Sequence, residues 1–410
     1  MASSDPSDQD ITPLWQYVAV TDYRPPAVTV EHTVSTGLSA FWQHFRTKEP
    51  PPETPFKTEE ELQSIPGILL EQIAPAPDGQ RAALALDEAL TAWLDSVQMD
   101  QPVVLVLHPP YGMHGNILKA WAGLHEWRVL PPPTIGQIFR RETDWIMSGP
   151  ADLTSWVLPN LERCYLRHAH GLTLVRRLLD QACSGALGRG VIGCDSWAWA
   201  FLRQAWSGAT PPLLILQSFD QHHLARWFQS FASESGISDL IFRQADNGDY
   251  VLPPPTGIQN GSANISDFLQ QLAAYSRGIP GIAHAIWRAS LRTAPDESPK
   301  DAKTAKESTY QPTTLWVTPW RRFKRPAPTT DLLRQHAFIL HALLLHNGLP
   351  AEWLSQLLPS SCQPGPATLY RLKSAGLIKQ QRDGFWQISP LGYPAIRLFL
   401  KSEGYLTDDL

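Results

Sequence analysis

The segment Val103 to Trp121, VVLVLHPPYGMHGNILKAW, runs from an unbroken apolar stretch into His108, Gly112, His114, Gly115 and Asn116, and then into a helical pattern. Glycines at a strand-to-helix turn let backbone N–H groups curl around an anion, and the start of the helix adds partial positive charge. Anion or phosphate binding is the chemistry this spacing suggests. His108, His114, His168, His170, His222 and His223 invite a metal reading instead. No HExxH pattern and no Cys at ligand spacing accompanies them, so they read as loop and surface residues. Cys164, Cys183, Cys194 and Cys362 are scattered without C-x-x-C pairs and read as reduced, mostly buried thiols. Asp220, ahead of His222 and His223, reads as a helix N-cap. There is neither a G-x-S-x-G elbow nor a dinucleotide fingerprint, so the sequence carries no independent enzyme signature, no metal site and no required cofactor.

The elements that would position such a loop alternate along the chain. Val103 to Leu107 stops at His108-Pro109-Pro110, as a buried parallel strand does, and a helix over Asn116 to Leu124 follows. The rhythm repeats at Ser155–Leu158 before Thr173–Ser184, at Gly190–Cys194 before Trp197–Trp206, and at Leu213–Gln217 before Gln221–Ser233. This alternation implies an α/β fold with a parallel sheet and crossover helices. Arg81 to Val97 places Ala82, Leu84, Leu86, Leu90 and Trp93 at helical intervals, and Gln270 to Arg292 reads as helical with a break at Gly278-Ile279-Pro280-Gly281. Residues 1–80 read as a Pro-rich N-terminal arm with a short helix at Gly37–Arg46, and residues 81–293 as the α/β core. Residues 294–328 read as a charged, mobile linker ending in the strongest basic patch, Arg321, Arg322, Lys324 and Arg325.

Residues 329–410 form a separate domain in this reading. Leu332, Leu333, Ala337, Leu340, Leu344 and Leu345 make an apolar stripe that ends at Asn347-Gly348. Helices over Ala351–Leu358 and Pro364–Ala375 follow, then two short strands around Arg382-Asp383-Gly384 and a last helix from Ser389-Pro390 to Leu400. The string ATLYRLKSAGLIKQQRDGFWQISPLGYPAI resembles the winged helices of bacterial DNA-binding proteins and of ATPase C-terminal domains. On that resemblance Tyr370, Arg371 and Lys373 of the third helix, with Lys379 and Arg382 on the wing, would meet a phosphate backbone.

The order of strand, turn and helix around His108 resembles the first strand, phosphate loop and first helix of AAA+ and related STAND ATPases. Overlaying their common loop, GPPGxGKS, on His108 to Gly115 puts Met113 at a glycine position, His114 at the Lys position and Gly115 at the hydroxyl position. Moving the register puts Asn116 at the Lys position. The resemblance further sets Asn160 nearest the position of the magnesium-holding Asp. Glu162 reads as a surface helix residue, with a base-like role as the alternative. Asp195 or Ser196 falls at the tip of the sensor strand. The stretch Tyr275 to Arg288 resembles the lid helices of origin-recognition and transposition-type ATPases, with Arg288 either the lid arginine or a structural surface arginine. A phosphate loop without its Lys and hydroxyl loses most of its electrostatic stabilisation of phosphoryl transfer.

A chain of 410 residues with 43% hydrophobic and 18% charged residues suits one large and one small globular domain. Its net charge of -5 excludes a protein whose whole surface wraps nucleic acid. No apolar run approaches the roughly 18 residues of a spanning helix. With the acidic start MASSDPSDQD, this makes the cytoplasm the expected location. The expectation is a catalytically degenerate AAA+/STAND-like binding or scaffolding component. It would partner with protein, with its own copies or with DNA, and not with a membrane. An ATP- and magnesium-dependent switch with an atypical loop, and a DNA-binding protein that uses the α/β core for assembly, are the alternatives.

Overall fold

Apolar runs too short for helices and bounded by Pro, Gly or polar residues become strands, and amphipathic stretches become the helices that cover them. The computed structural model describes residues 13–26, 56–96, 101–142, 145, 155–237, 239–254, 264–295, 313–328, 334–359, 365–408 and 410. In chain order the strands are β1 (Tyr17–Ala19), β2 (Gln63–Ser64), β3 (Val103–His108), β4 (Arg128–Val129), β5 (Ser155–Leu158), β6 (Arg189–Asp195), β7 (Leu213–Leu216), β8 (Ile241–Gln244), β9 (Leu291–Thr293), β10 (Thr314–Val317), β11 (Leu349–Pro350), β12 (Ile378–Gln380) and β13 (Phe385–Ile388). The helices are α1 (Gly67–Ile73), α2 (Gln80–Leu94), α3 (His114–Leu124), α4 (Ile135–Arg140), α5 (Thr173–Cys183), α6 (Ser196–Ala205), α7 (Gln221–Glu234), α8 (Phe268–Ser276), α9 (Pro280–Ser290), α10 (Arg334–Leu345), α11 (Ala351–Leu357), α12 (Pro366–Ser374) and α13 (Tyr393–Ser402).

The main sheet has the order β1-β7-β3-β6-β5-β4, with β3 to β7 parallel and β1 antiparallel on the edge. All six residues of β3 are buried, the signature of a strand covered on both faces. β3 pairs with β6 from Val103↔Gly190 to His108↔Asp195, so the strand carrying the loop ends beside the strand carrying Asp195. A Cβ on Gly193 would lie 2.3 Å from Leu118 Cδ1 and 2.5 Å from the Pro159 carbonyl. Glycine there lets α3 and the end of β5 close against β6, which brings Asn160 and Glu162 to the same edge.

A second sheet, β2-β9-β10-β8, pairs β8 with β10 in parallel and the others antiparallel. It corrects two expectations. The segment read as a linker contributes β10, and the segment read as an arm contributes β1 and β2 as well as α1. The expected helix at Gly37–Arg46 and most of the charged stretch, residues 296–312, lie outside the described residues. The expected helix break falls between α8 and α9, where Arg277 (φ 56°) and Gly278 (φ 66°) are left-handed and Pro280 starts the new helix.

The C-terminal residues fold as α10-β11-α11-α12-β12-β13-α13 with a three-stranded antiparallel sheet, β11-β13-β12. Asn347 and Gly348, both at positive φ, end α10. The Asp383-Gly384 turn closes the β12–β13 hairpin, with Gly384 at φ 86° and the Phe385 N–H donating to Asp383 Oδ1. One apolar core runs from the main sheet through Trp197 and Tyr165 into Leu340, Leu344 and Tyr393, so the C-terminal unit shares its packing with the α/β part. Among the described residues no helix is long and apolar enough to cross a membrane.

Candidate functional site at the ends of the parallel strands

Ligands of open α/β sheets bind outside the carboxyl ends of the strands, where neighbouring strands lead their connections apart. Here that place is the edge made by β3, β5 and β6. After β3 the chain turns through Pro109 to Met113, with the Gly112 N–H donating to the Pro109 carbonyl (2.9 Å). Tyr111 (φ 67°) and Met113 (φ 65°) adopt the left-handed conformation that glycine favours. Each costs about 1–2 kcal/mol for a residue with a side chain. Surrounding contacts hold them there. The Gly281 N–H donates to the Tyr111 carbonyl (3.2 Å), and the Met113 carbonyl accepts from Asn116 and Ile117 to start α3. The loop therefore follows a glycine-like backbone path at two positions without glycine.

Beneath the loop lies a buried polar network centred on Glu162. The carboxylate is fully buried and accepts from His114 Nε2 (3.1 Å), Asn160 Nδ2 (2.9 Å), Asn347 Nδ2 (3.3 Å) and the Asp195 backbone N–H (3.2 Å). Burial acts to raise its pKa, but the charge and hydrogen bond of His114 and the hydrogen bond from Asn160 outweigh it and hold the carboxyl at about 2. Asp195 goes the other way: burial first, then the charge of Glu162, pushes it well above the usual carboxylate range. The two neighbouring acids are therefore shifted in opposite directions. Asp195 Oδ1 accepts the Trp197 N–H (3.0 Å) and caps α6. His108 stacks on His114, with centroids 5.3 Å apart, and burial, followed by the charge of His114, pushes its pKa well below the usual value.

The C-terminal unit covers this edge. Tyr111 Oη donates to the Ile388 carbonyl, and Lys379 Nζ lies 5.2 Å from the centre of the Tyr111 ring. Tyr165 Oη donates to the Leu345 carbonyl (2.7 Å), and Trp197 Nε1 donates to Tyr393 Oη (3.0 Å). Ser196 Oγ donates to Asp408 Oδ2 (2.5 Å), while Arg397 Nη2 grips Asp408 Oδ1 (2.9 Å). The space left among Tyr111, Asp195, Asn347, Gln387 and Ile388 is about 10 Å³, enough for about one water and far below a nucleotide.

The structure thus brings together His108, Gly112, His114, Gly115, Asn160 and Ser196 from the sequence-derived set; a Cβ on Gly115 would lie 3.4 Å from the Asn160 amide. It leaves out Asn116, which is exposed on α3, and Arg288, which binds the Ala74 carbonyl and Glu71 Oε1 (2.6 Å) on the side of α1. Two expectations are corrected by burial. Glu162 is the centre of the network rather than a surface residue, and His108 and His114 are interior rather than loop-surface histidines. Asp220 caps α7 as expected, accepting from the His222 and His223 N–H groups at 2.9 Å each. Asn347, Arg397 and Asp408 were not legible as site residues, because each reaches the edge from a separate domain of the sequence reading.

The basic patch also divides. Arg321 pairs with Asp246 at 2.6 Å, and Arg325 lies over the rings of Trp320 (4.9 Å) and Tyr275 (5.5 Å), so these two fold inward. Tyr370, Arg371 and Lys373 on α12 are exposed. Among the described residues no group of three or more His, Cys, Asp or Glu side chains forms a metal-ligand set. In comparisons with known proteins, no family model and no curated protein matches the chain.

Proposed function

We propose that the chain is a non-hydrolysing, AAA+/STAND-like protein whose C-terminal winged-helix-like unit closes the former nucleotide crevice and serves as the docking module of a larger assembly. The observation that carries this reading is the tie between His114 and Glu162. The residue at the phosphate-lysine position is buried and hydrogen-bonded to an internal carboxylate, so it is not presented to a γ-phosphate. The left-handed Tyr111 and Met113 support the loop's kinship with a phosphate loop, and the position of β3 between β6 and β7 supports a core of that type. ATP with magnesium would have to displace the C-terminal unit from Tyr111 and Glu162 before reaching the loop. The test is turnover of ATP by the purified chain with magnesium present. The reading expects no turnover above background; turnover abolished by His114→Ala would sink it.

The exposed face of α12 favours DNA as the docked partner. Tyr370, Arg371 and Lys373 face solvent, and the helix, PATLYRLKS, contains no carboxylate. Fluorescence anisotropy with a labelled duplex should show salt-sensitive binding. Its log–log salt slope should fall by about 2 in the Arg371→Gln/Lys373→Gln variant. Arg321→Gln should leave the slope unchanged, because that guanidinium is already paired with Asp246. A slope insensitive to the α12 changes would point to a protein partner instead.

A further inference from the structure

A cavity of about 320 Å³ opens beside the second sheet, lined by Lys57, Glu59, Arg292, Arg322, Phe323 and Lys324 among others. Among the described residues its charged lining is four basic side chains and one carboxylate, in a chain whose net charge is -5. From this we infer that the cavity is a binding site for a small phosphorylated molecule, with the phosphate among Arg292, Arg322 and Lys324 and the apolar part against Phe323 and Leu62. The site is independent of the loop after β3.

The architecture holds these cations in place. Arg292, on β9, is half-buried and anchored by Nη1 hydrogen bonds to the carbonyls of Ala289 (2.9 Å) and Leu291 (2.7 Å). The Lys57 N–H donates to the Ala245 carbonyl (2.7 Å), which fixes its segment against the end of β8. Pro319 accepts from the Arg322 and Phe323 N–H groups (2.9 and 3.0 Å), so the turn after β10 is closed. In the basic run, Arg321 is spent on Asp246 and Arg325 on two aromatic rings; the intervening Arg322 and Lys324 line the cavity instead, and neither makes an ion pair with a described residue. Arg292, Arg322 and Lys324 line the same cavity, and like charges gathered there favour a bound anion. Arginine's planar fork and lysine's point charge are together the usual chemistry for a phosphate. The volume lies at the small end of ligand cavities, roughly 300–1,000 Å³, which matches a free small molecule.

Calorimetric titration of the full chain with inorganic pyrophosphate tests the site, with a single-stranded thymidine oligonucleotide as a parallel arm. Saturable pyrophosphate binding is expected. It should weaken about a hundredfold in Arg322→Gln/Lys324→Gln, since each charge-assisted contact is worth about tenfold or more, and about tenfold in Lys324→Gln alone. Arg177→Gln, an exposed charge on α5, should leave it unchanged. Lys324 is exposed, so the single variant keeps the test valid if the double variant melts early. No saturation at millimolar pyrophosphate, equal affinity in the Lys324→Gln variant, or binding of the oligonucleotide alone would each overturn the proposal. None of these outcomes depends on whether the loop turns over ATP.

Discussion

Glu162 is the acceptor on which the polar groups at the strand-end edge converge. Removing it leaves His114, Asn160, Asn347 and the Asp195 N–H facing an empty acceptor position in the interior. Glu162→Ala should cost about 3–5 kcal/mol in denaturant unfolding, and Glu162→Gln less, because an amide oxygen keeps some of the acceptors. Its folded pKa of about 2 lies below the unfolded value of about 4.5, so its stabilisation is fully present above pH 4.5 and fades as pH falls towards 2. Asp195 has the opposite sign. Its pKa is raised on folding, so its contribution is present at low pH and is lost as pH climbs through the folded value. Asp195→Asn keeps the cap on α6 and removes the ionisation. It should hold stability at neutral pH within about 1 kcal/mol or raise it, whereas Asp195→Ala should lose about 1 kcal/mol with the cap. A large loss in Asp195→Asn would mean that the ionised form is the one the fold uses. The sequence made His114 and Asn160 legible through the loop overlay. It misplaced Glu162, because that carboxylate's partners lie 48 and 185 residues away and a carboxylate past a strand end reads as solvated.

Among the elements, β3, β5, β6 and β7 were legible because each is an apolar run that both faces of a parallel sheet must bury. The second sheet was not. β2, β9 and β10 have two to four residues each, and their stability comes from partners brought together from far apart in the chain. α12, β12, β13 and α13 were legible from an apolar stripe and an Asp-Gly turn, but their attachment to the main sheet was not. That attachment runs through the segment after α13, where Asp408 takes Ser196 on one oxygen and Arg397 on the other. Both members of the Arg397–Asp408 pair are buried, at 8% and 3% side-chain exposure, so Asp408→Ala leaves an unpaired interior guanidinium. The change should cost about 3–5 kcal/mol and raise amide exchange in α6 and α13 before the rest of the sheet. Exchange confined to the residues around position 408 would show that the pair is local and does not fasten the C-terminal unit.

At the scale of the whole molecule, the fold has the strand edge of a ligand-binding α/β protein and uses it as an internal interface. Glu162 gathers the polar groups beneath the loop, and a second unit fills the space above them. The sequence leads one to expect a phosphate-type loop without its Lys and hydroxyl; on the proposal above, the C-terminal unit also covers it. The most direct test is a structure of the chain determined in the presence of millimolar ATP and magnesium. The account expects the His114–Glu162 and Tyr111–Ile388 contacts unchanged, with no nucleotide between Gly112 and Asn116. Phosphates on the Gly112–Asn116 backbone, with the C-terminal unit displaced from Tyr111, would contradict it.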